Sequence, residues 1–321
     1  MIEKKRELKD PSVAFFPVEK RSLYMKKPSE KSVQYSKLPR HFAVVDVENN
    51  YSFAVVTDDY KLVTNKEAYN RASEIMRKVF YTTTTDDMVC LNVIMPKTRS
   101  FCHIDLVHKA ADFSPWEHDK WTAFLRITNS YNRTRLLRFE LGFCRWICLN
   151  GMIFGQKSVE YSYAHTRRGI DRVDGFVENI GDIRKLELQL IERLHQLQRY
   201  YVPETNMLGI FCRAFDIKVT KEVIEKPKRL EELKAIRNQV CKLSQSYFLE
   251  MGPHGYAVLN VLTEYATWPE GVIAPETCIH ALQQKCGSWI DNFISAIQRP
   301  DFSFDSYIGD YRQTAEIIEG L

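Results

Sequence analysis

Apolar and polar positions alternate through much of the first half of the chain and step by three and four in the second. His41–Val47 and Tyr51–Thr57 are β-rich runs separated by Glu48, Asn49 and Asn50, which is hairpin chemistry because Asn tolerates the left-handed turn conformation. Asn65 reads as the N-cap of a helix over 66–80, whose apolar face is Ala68, Ala72, Ile75, Met76 and Val79. Met88–Met95 and Ser100–His108 read as a second strand pair, with Pro96 confined to the connection. The clearest hairpin joins Trp121–Thr128 to Thr134–Phe143 across Asn129–Arg133. Leu125 and Ile127, then Leu137, Phe139 and Leu141, fall on one face with period two. Arg126, Arg138 and Glu140 fall on the other, which is expected to meet solvent or a ligand.

After residue 175 the period changes. Ile183, Leu186, Leu190, Leu194, Leu197 and Tyr201 mark a helix that Pro203 ends. Leu230, Leu233, Ile236, Val240, Leu243 and Tyr247 mark a second over about 228–250, and further helices are expected at 255–267 and 276–297. Strands followed by helices imply an α+β protein, with antiparallel hairpins in the N-terminal half packed on a helical C-terminal half. The organisation read from the sequence is a basic extended arm over 1–38 and a β-rich domain over 39–174. A helical region over 175–299 and an acidic, aromatic tail over 300–321 follow.

Composition narrows the class. The 321 residues are 45% hydrophobic and 27% charged, enough apolar surface for a core that needs no disulfide or metal. The eight cysteines include no CxxC pair and mostly sit among apolar residues, as free thiols of a reducing compartment do. Cys144 and Cys148, four apart, read as core packing ahead of a metal edge or a nucleophile. The charged N-terminus is no signal peptide, and no apolar run approaches membrane-spanning length, so a cytoplasmic protein without membrane contact is expected.

The net charge of +4 is unevenly spread. Residues 1–40 hold 11 Lys/Arg against 5 Asp/Glu, and residues 121–172 hold 9 against 3. In the second stretch Arg126, Arg133, Arg135, Arg138 and Arg145 interleave with aromatics, among them Tyr131 and Trp146. Guanidinium groups for phosphates beside aromatic faces for bases are what single-strand binders combine, so these seven are the candidate nucleic-acid contacts. Arg167, Arg168 and Arg172 would extend the track. A solvated hairpin over an aromatic core gives the same pattern.

His103, Asp105 and His108 are weak metal candidates, with His118 a possible fourth ligand, because alternation puts His103 and Asp105 on one strand face. The chain has no GxxxxGK[ST], GxGxxG, GxSxG or HExxH motif, so no cofactor is expected and an enzymatic role is undecided, with a non-enzymatic one favoured.

Phe124–Arg133, Arg145–Gly151 and Leu259–Tyr265 together resemble the domain-of-unknown-function 932 family of phage- and plasmid-like proteins. That family has an NS-[YH]-[DN]-G-[ST] turn, an R-x-x-C-x-N segment and an N-A-[LF]-T-E-[YW] helix. Here Arg133 stands at the turn glycine, and Arg145, Cys148 and Asn150 match the second pattern. The resemblance implies a mobile-element setting and no established catalytic residue. The leading expectation is a nucleic-acid-binding protein, with single-stranded DNA favoured for binding or annealing by a homo-oligomer. The rivals are a host-interaction or anti-defence protein that binds a host protein, and a metal-dependent nuclease.

Overall fold

A computed structural model describes residues 8–27, 33–81, 87–146, 148–153, 160–165, 183–220 and 226–321. Arg167, Arg168 and Arg172 lie outside the described residues. The α+β architecture has two antiparallel sheets in the N-terminal half and helices in the C-terminal half.

The first sheet has the order β1 (Val18–Lys27), β2 (Gln34–Asp46), β3 (Tyr51–Thr57). The predicted β2–β3 hairpin forms, running from His41↔Thr57 to Asp46↔Tyr51. Its turn is held by Asp46, whose Oδ1 accepts from the amides of Glu48 at 3.0 Å and Asn49 at 3.1 Å. Residues read as an extended arm are instead paired strands, because β1 zips along β2 from Val18↔Asp46 to Lys27↔Gln34.

Helix α1 (Asn65–Phe80) follows. Its N-cap is Thr64, one residue before the expected Asn65: Thr64 and Glu67 form a reciprocal capping box. Asn65 is buried, because its side-chain amide donates to the Ala14 carbonyl at 3.0 Å.

The second sheet has the order β4 (Met88–Ile94), β5 (Phe101–Trp116), β6 (Asp119–Ser130), β7 (Leu137–Arg145), β8 (Asn150–Ile153), with β9 (Glu160–Tyr163) also paired to β7. The face bearing Ile104, Leu106, Leu125, Ile127, Phe139 and Leu141 enters the main core. These side chains are essentially inaccessible, as the period-two pattern predicted.

The helices are α2 (Ile183–Arg199), α3 (Met207–Phe215), α4 (Pro227–Met251), α5 (Gly255–Thr267), α6 (Ile279–Ile297), α7 (Phe304–Ile308) and α8 (Tyr311–Glu319). The stretch read as a C-terminal tail thus contains two docked helices that bury Tyr307, Ile308 and Ile318. Gly209 of α3 leaves the space that Ile308 fills, since a Cβ there would lie 2.8 Å from Ile308 Cγ2. No helix among the described residues is long and apolar enough to cross a membrane.

Candidate nucleic-acid interface

Beyond the His41↔Thr57 pair β3 ends, while β1 and β2 continue together through Tyr24↔Lys37, Met25↔Ser36, Lys26↔Tyr35 and Lys27↔Gln34. This is a two-stranded ribbon extending past its sheet. Because side chains alternate and directly paired residues share a face, Tyr24, Lys26, Tyr35 and Lys37 lie together on one side. Each tyrosine sits opposite one lysine and two residues from the other, a checkerboard of rings and ammonium groups. Tyr24 is 60% and Tyr35 66% exposed, and both lysines are exposed. An isolated two-stranded hairpin is only marginally stable in water, so its apolar surface here stabilises little. The opposite end of the first sheet, at the β2–β3 turn, is secured to the body, where Arg99 pairs with Asp46 at 3.1 Å and Glu48 at 2.8 Å.

The seven sequence candidates separate. Arg126 is fully buried: Nε and Nη2 each lie 2.6 Å from the Asp105 carboxylate, and Nη1 donates to Gln283 Oε1 at 2.6 Å. The Arg-bearing sheet face therefore does not meet solvent at Arg126, because His280, Gln283 and Gln284 of α6 reach down onto it. Arg145 and Tyr131 are also buried, Arg145 against Asp119 at 2.7 Å and Tyr131 beneath Phe53. Trp146 is half-buried and donates to Asp112 at 2.7 Å. Arg135 and Arg138 are half-buried, with the Arg135 guanidinium 4.1 Å from the centre of the Phe101 ring. Arg133 alone of the seven is exposed, at the foot of the first sheet, where it donates to the Val55 carbonyl at 3.4 Å. The ribbon residues carried no stronger sequence signal than the charge of residues 1–40.

The metal candidates do not converge. His103 and Asp105 share a face, but Asp105 is held by Arg126. His108 stacks flat on Phe80, 4.7 Å between centroids, and His118 is an exposed hairpin-turn residue. Among the described residues no group of three or more His, Cys, Asp or Glu is placed to hold a metal.

His103 instead stacks on His280, 5.0 Å apart and nearly parallel. Burial, then the positive field of Arg126, holds both imidazoles well below their ordinary value, His280 at about 3. A base that must stay neutral in the fold stabilises it fully above its unfolded value of about 6.5, and that contribution is lost as pH falls toward the folded value. Folding stability is expected to fall between pH 6.5 and 4.5, by about 1.4 kcal/mol per pH unit for each neutral imidazole. Urea titrations across that range should give His280→Gln a shallower slope than the unsubstituted protein. Parallel slopes would contradict the assignment.

The segments that carried the family resemblance meet in space. Arg145 donates to Asp119 and to Asn260 Oδ1 at 3.2 Å, and the Tyr256 hydroxyl donates to Asp119 at 2.5 Å. Asn150 donates to the Tyr247 hydroxyl and to Glu264, each at 3.4 Å, while Tyr247 donates to Glu264 at 2.5 Å. The R-x-x-C-x-N strand edge is thereby latched to α5. The Cys148 thiol lies 3.8 Å from the Arg145 carbonyl, a weak contact. In the turn segment, Asn129 donates to Asn65 Oδ1 at 2.9 Å, and the Tyr131 hydroxyl accepts from the Asn65 amide at 2.8 Å, tying the sheet to the start of α1.

A family model described as "Domain of unknown function (DUF932)" matches residues 52–270. No curated protein and no solved structure matches the chain.

Proposed function

The chain belongs to the domain of unknown function (DUF932) family, and we propose that within it this protein binds single-stranded nucleic acid through the β1–β2 ribbon. One observation carries the reading: the exposed Tyr24–Lys37 and Lys26–Tyr35 pairs on one face of a ribbon that extends past its sheet. Tyrosine rings offer stacking platforms worth about 1–3 kcal/mol per base, and lysines beside them neutralise the phosphates between those bases. DNA is the favoured strand, in keeping with the mobile-element setting that the family resemblance implies. The ribbon precedes residue 52 and so lies outside the matched span; the reading rests on this chain's own residues. It moves the contact surface away from the buried Arg126 and Arg145 and keeps Arg133.

Lys26, Lys37 and Arg133 are exposed cations placed to meet phosphates. For roughly three such contacts on a single strand, log K should fall against log salt with a slope of about −2. Fluorescence anisotropy with a labelled 12-nucleotide single strand measures it. A flat salt dependence, or no binding at low salt, would remove the proposal.

A further inference from the structure

At the foot of the ribbon, beside the last β2–β3 pair, lies a pocket of about 320 Å3 lined by His41, Thr57, Tyr60, Arg133 and His165, with Asp59 at its rim. That volume is at the small end of ligand pockets, roughly 300–1,000 Å3. Asp59 is turned to Arg40, 3.6 Å away.

Its floor departs from ordinary packing. His165 is 7% exposed and stacks on Tyr60 with centroids 5.2 Å apart. Among the described residues, neither ring nitrogen of His165 has a hydrogen-bond partner of ordinary geometry, and neither has the Tyr60 hydroxyl. Buried polar groups are nearly always satisfied, and leaving one bare costs about 1–3 kcal/mol. Burial pushes the Tyr60 hydroxyl up to about 12, with the nearby Arg133 charge opposing the shift. Burial likewise holds His165 below its ordinary value, against a smaller pull from the Lys61 backbone.

Arg133 departs as well. Its φ is 63°, the left-handed region that favours glycine, and its 3.4 Å bond to Val55 is long. A strained cation at a pocket mouth, above bare donors and acceptors on aromatic rings, is organised for a ligand that has both a negative charge and a polar, flat edge.

We infer that this pocket takes one unpaired nucleotide of the bound strand. Its phosphate sits on Arg133, and its base edge meets the Tyr60 hydroxyl and the His165 ring. The inference rests on the ribbon reading and extends it: the strand stacks on Tyr24 and Tyr35 and delivers one nucleotide to the ribbon's foot.

Two substitutions separate this role from a structural one. Tyr60→Phe keeps the ring and its stack and removes only the bare hydroxyl. Arg133→Gly relieves the left-handed backbone and removes the cation. Each variant is expected to melt no lower than the unsubstituted protein, yet to bind the labelled 12-nucleotide strand five- to tenfold more weakly. If both bind as tightly as the unsubstituted protein while Tyr24→Ser/Tyr35→Ser loses affinity, the pocket assignment is overturned and the ribbon stands. If the unsubstituted protein binds no strand at low salt, the ribbon reading fails and the pocket assignment falls with it.

Discussion

Arg126→Ala is expected to destabilise the protein by about 3–5 kcal/mol, the cost of removing one partner from a buried ion pair. The guanidinium is fully buried and makes three 2.6 Å contacts, two with Asp105 and one with Gln283. Alanine would leave the Asp105 carboxylate buried without its countercharge and Gln283 Oε1 without its donor. Removing both charges is different: Arg126→Met with Asp105→Leu replaces the pair with apolar groups of similar reach and should recover most of the loss. Urea unfolding of the two variants checks this. An Arg126→Ala midpoint equal to that of the unsubstituted protein would mean that α6 does not seal the face.

Arg145→Ala should cost about 3 kcal/mol for a related reason, since it strips the partner from Asp119 and a donor from Asn260. Tyr256, which donates to the same carboxylate, would be left supporting an uncompensated charge. Cys148→Ser should shift stability by less than about 1 kcal/mol, because the swap changes one atom of a half-buried side chain whose thiol makes a weak 3.8 Å contact with the Arg145 carbonyl. If the R-x-x-C-x-N segment is a latch, the cost therefore falls on its Arg and Asn and not on its Cys. The Arg145–Asn260 pair should show a coupling of about 0.5–3 kcal/mol in a double-mutant cycle. Additive effects would show that the strand edge and α5 are not joined there.

The sheet was legible because alternation is a local signal. Leu125, Ile127, Phe139 and Leu141 had to share a face whatever packed on it. What covers the opposite face was not legible, because Gln283 stands 157 positions after Arg126 and nothing in a strand's own sequence announces its cover. An arginine on the polar side of a strand reads the same whether it meets water or a buried carboxylate. The ribbon escaped for the converse reason: the described side chains of its outer end are mostly exposed, so β1 and β2 carry no apolar period there and resemble a disordered arm. Tyr307, Ile308 and Ile318 were missed as core because two helices of five and nine residues are too short to show a repeat. Thr64 was passed over as a cap because Asn65 is itself a good one, and only the capping box with Glu67 decides between them. The three resembling segments were legible as patterns. Their meeting at Arg145–Asn260 and Asn150–Glu264 is a property of the fold.

Placing the candidate interface on the ribbon has a direct test. Tyr24→Ser, Tyr35→Ser, Lys26→Ala and Lys37→Ala, made together, change four exposed side chains whose removal leaves the described cores untouched. The measurement is anisotropy with the labelled 12-nucleotide strand at fixed low salt, with the melting temperature recorded for the same samples. The account predicts an unchanged melting temperature and a loss of affinity of at least a hundredfold, the scale of two lost stacking platforms and two phosphate contacts. Full affinity in the quadruple variant would contradict it.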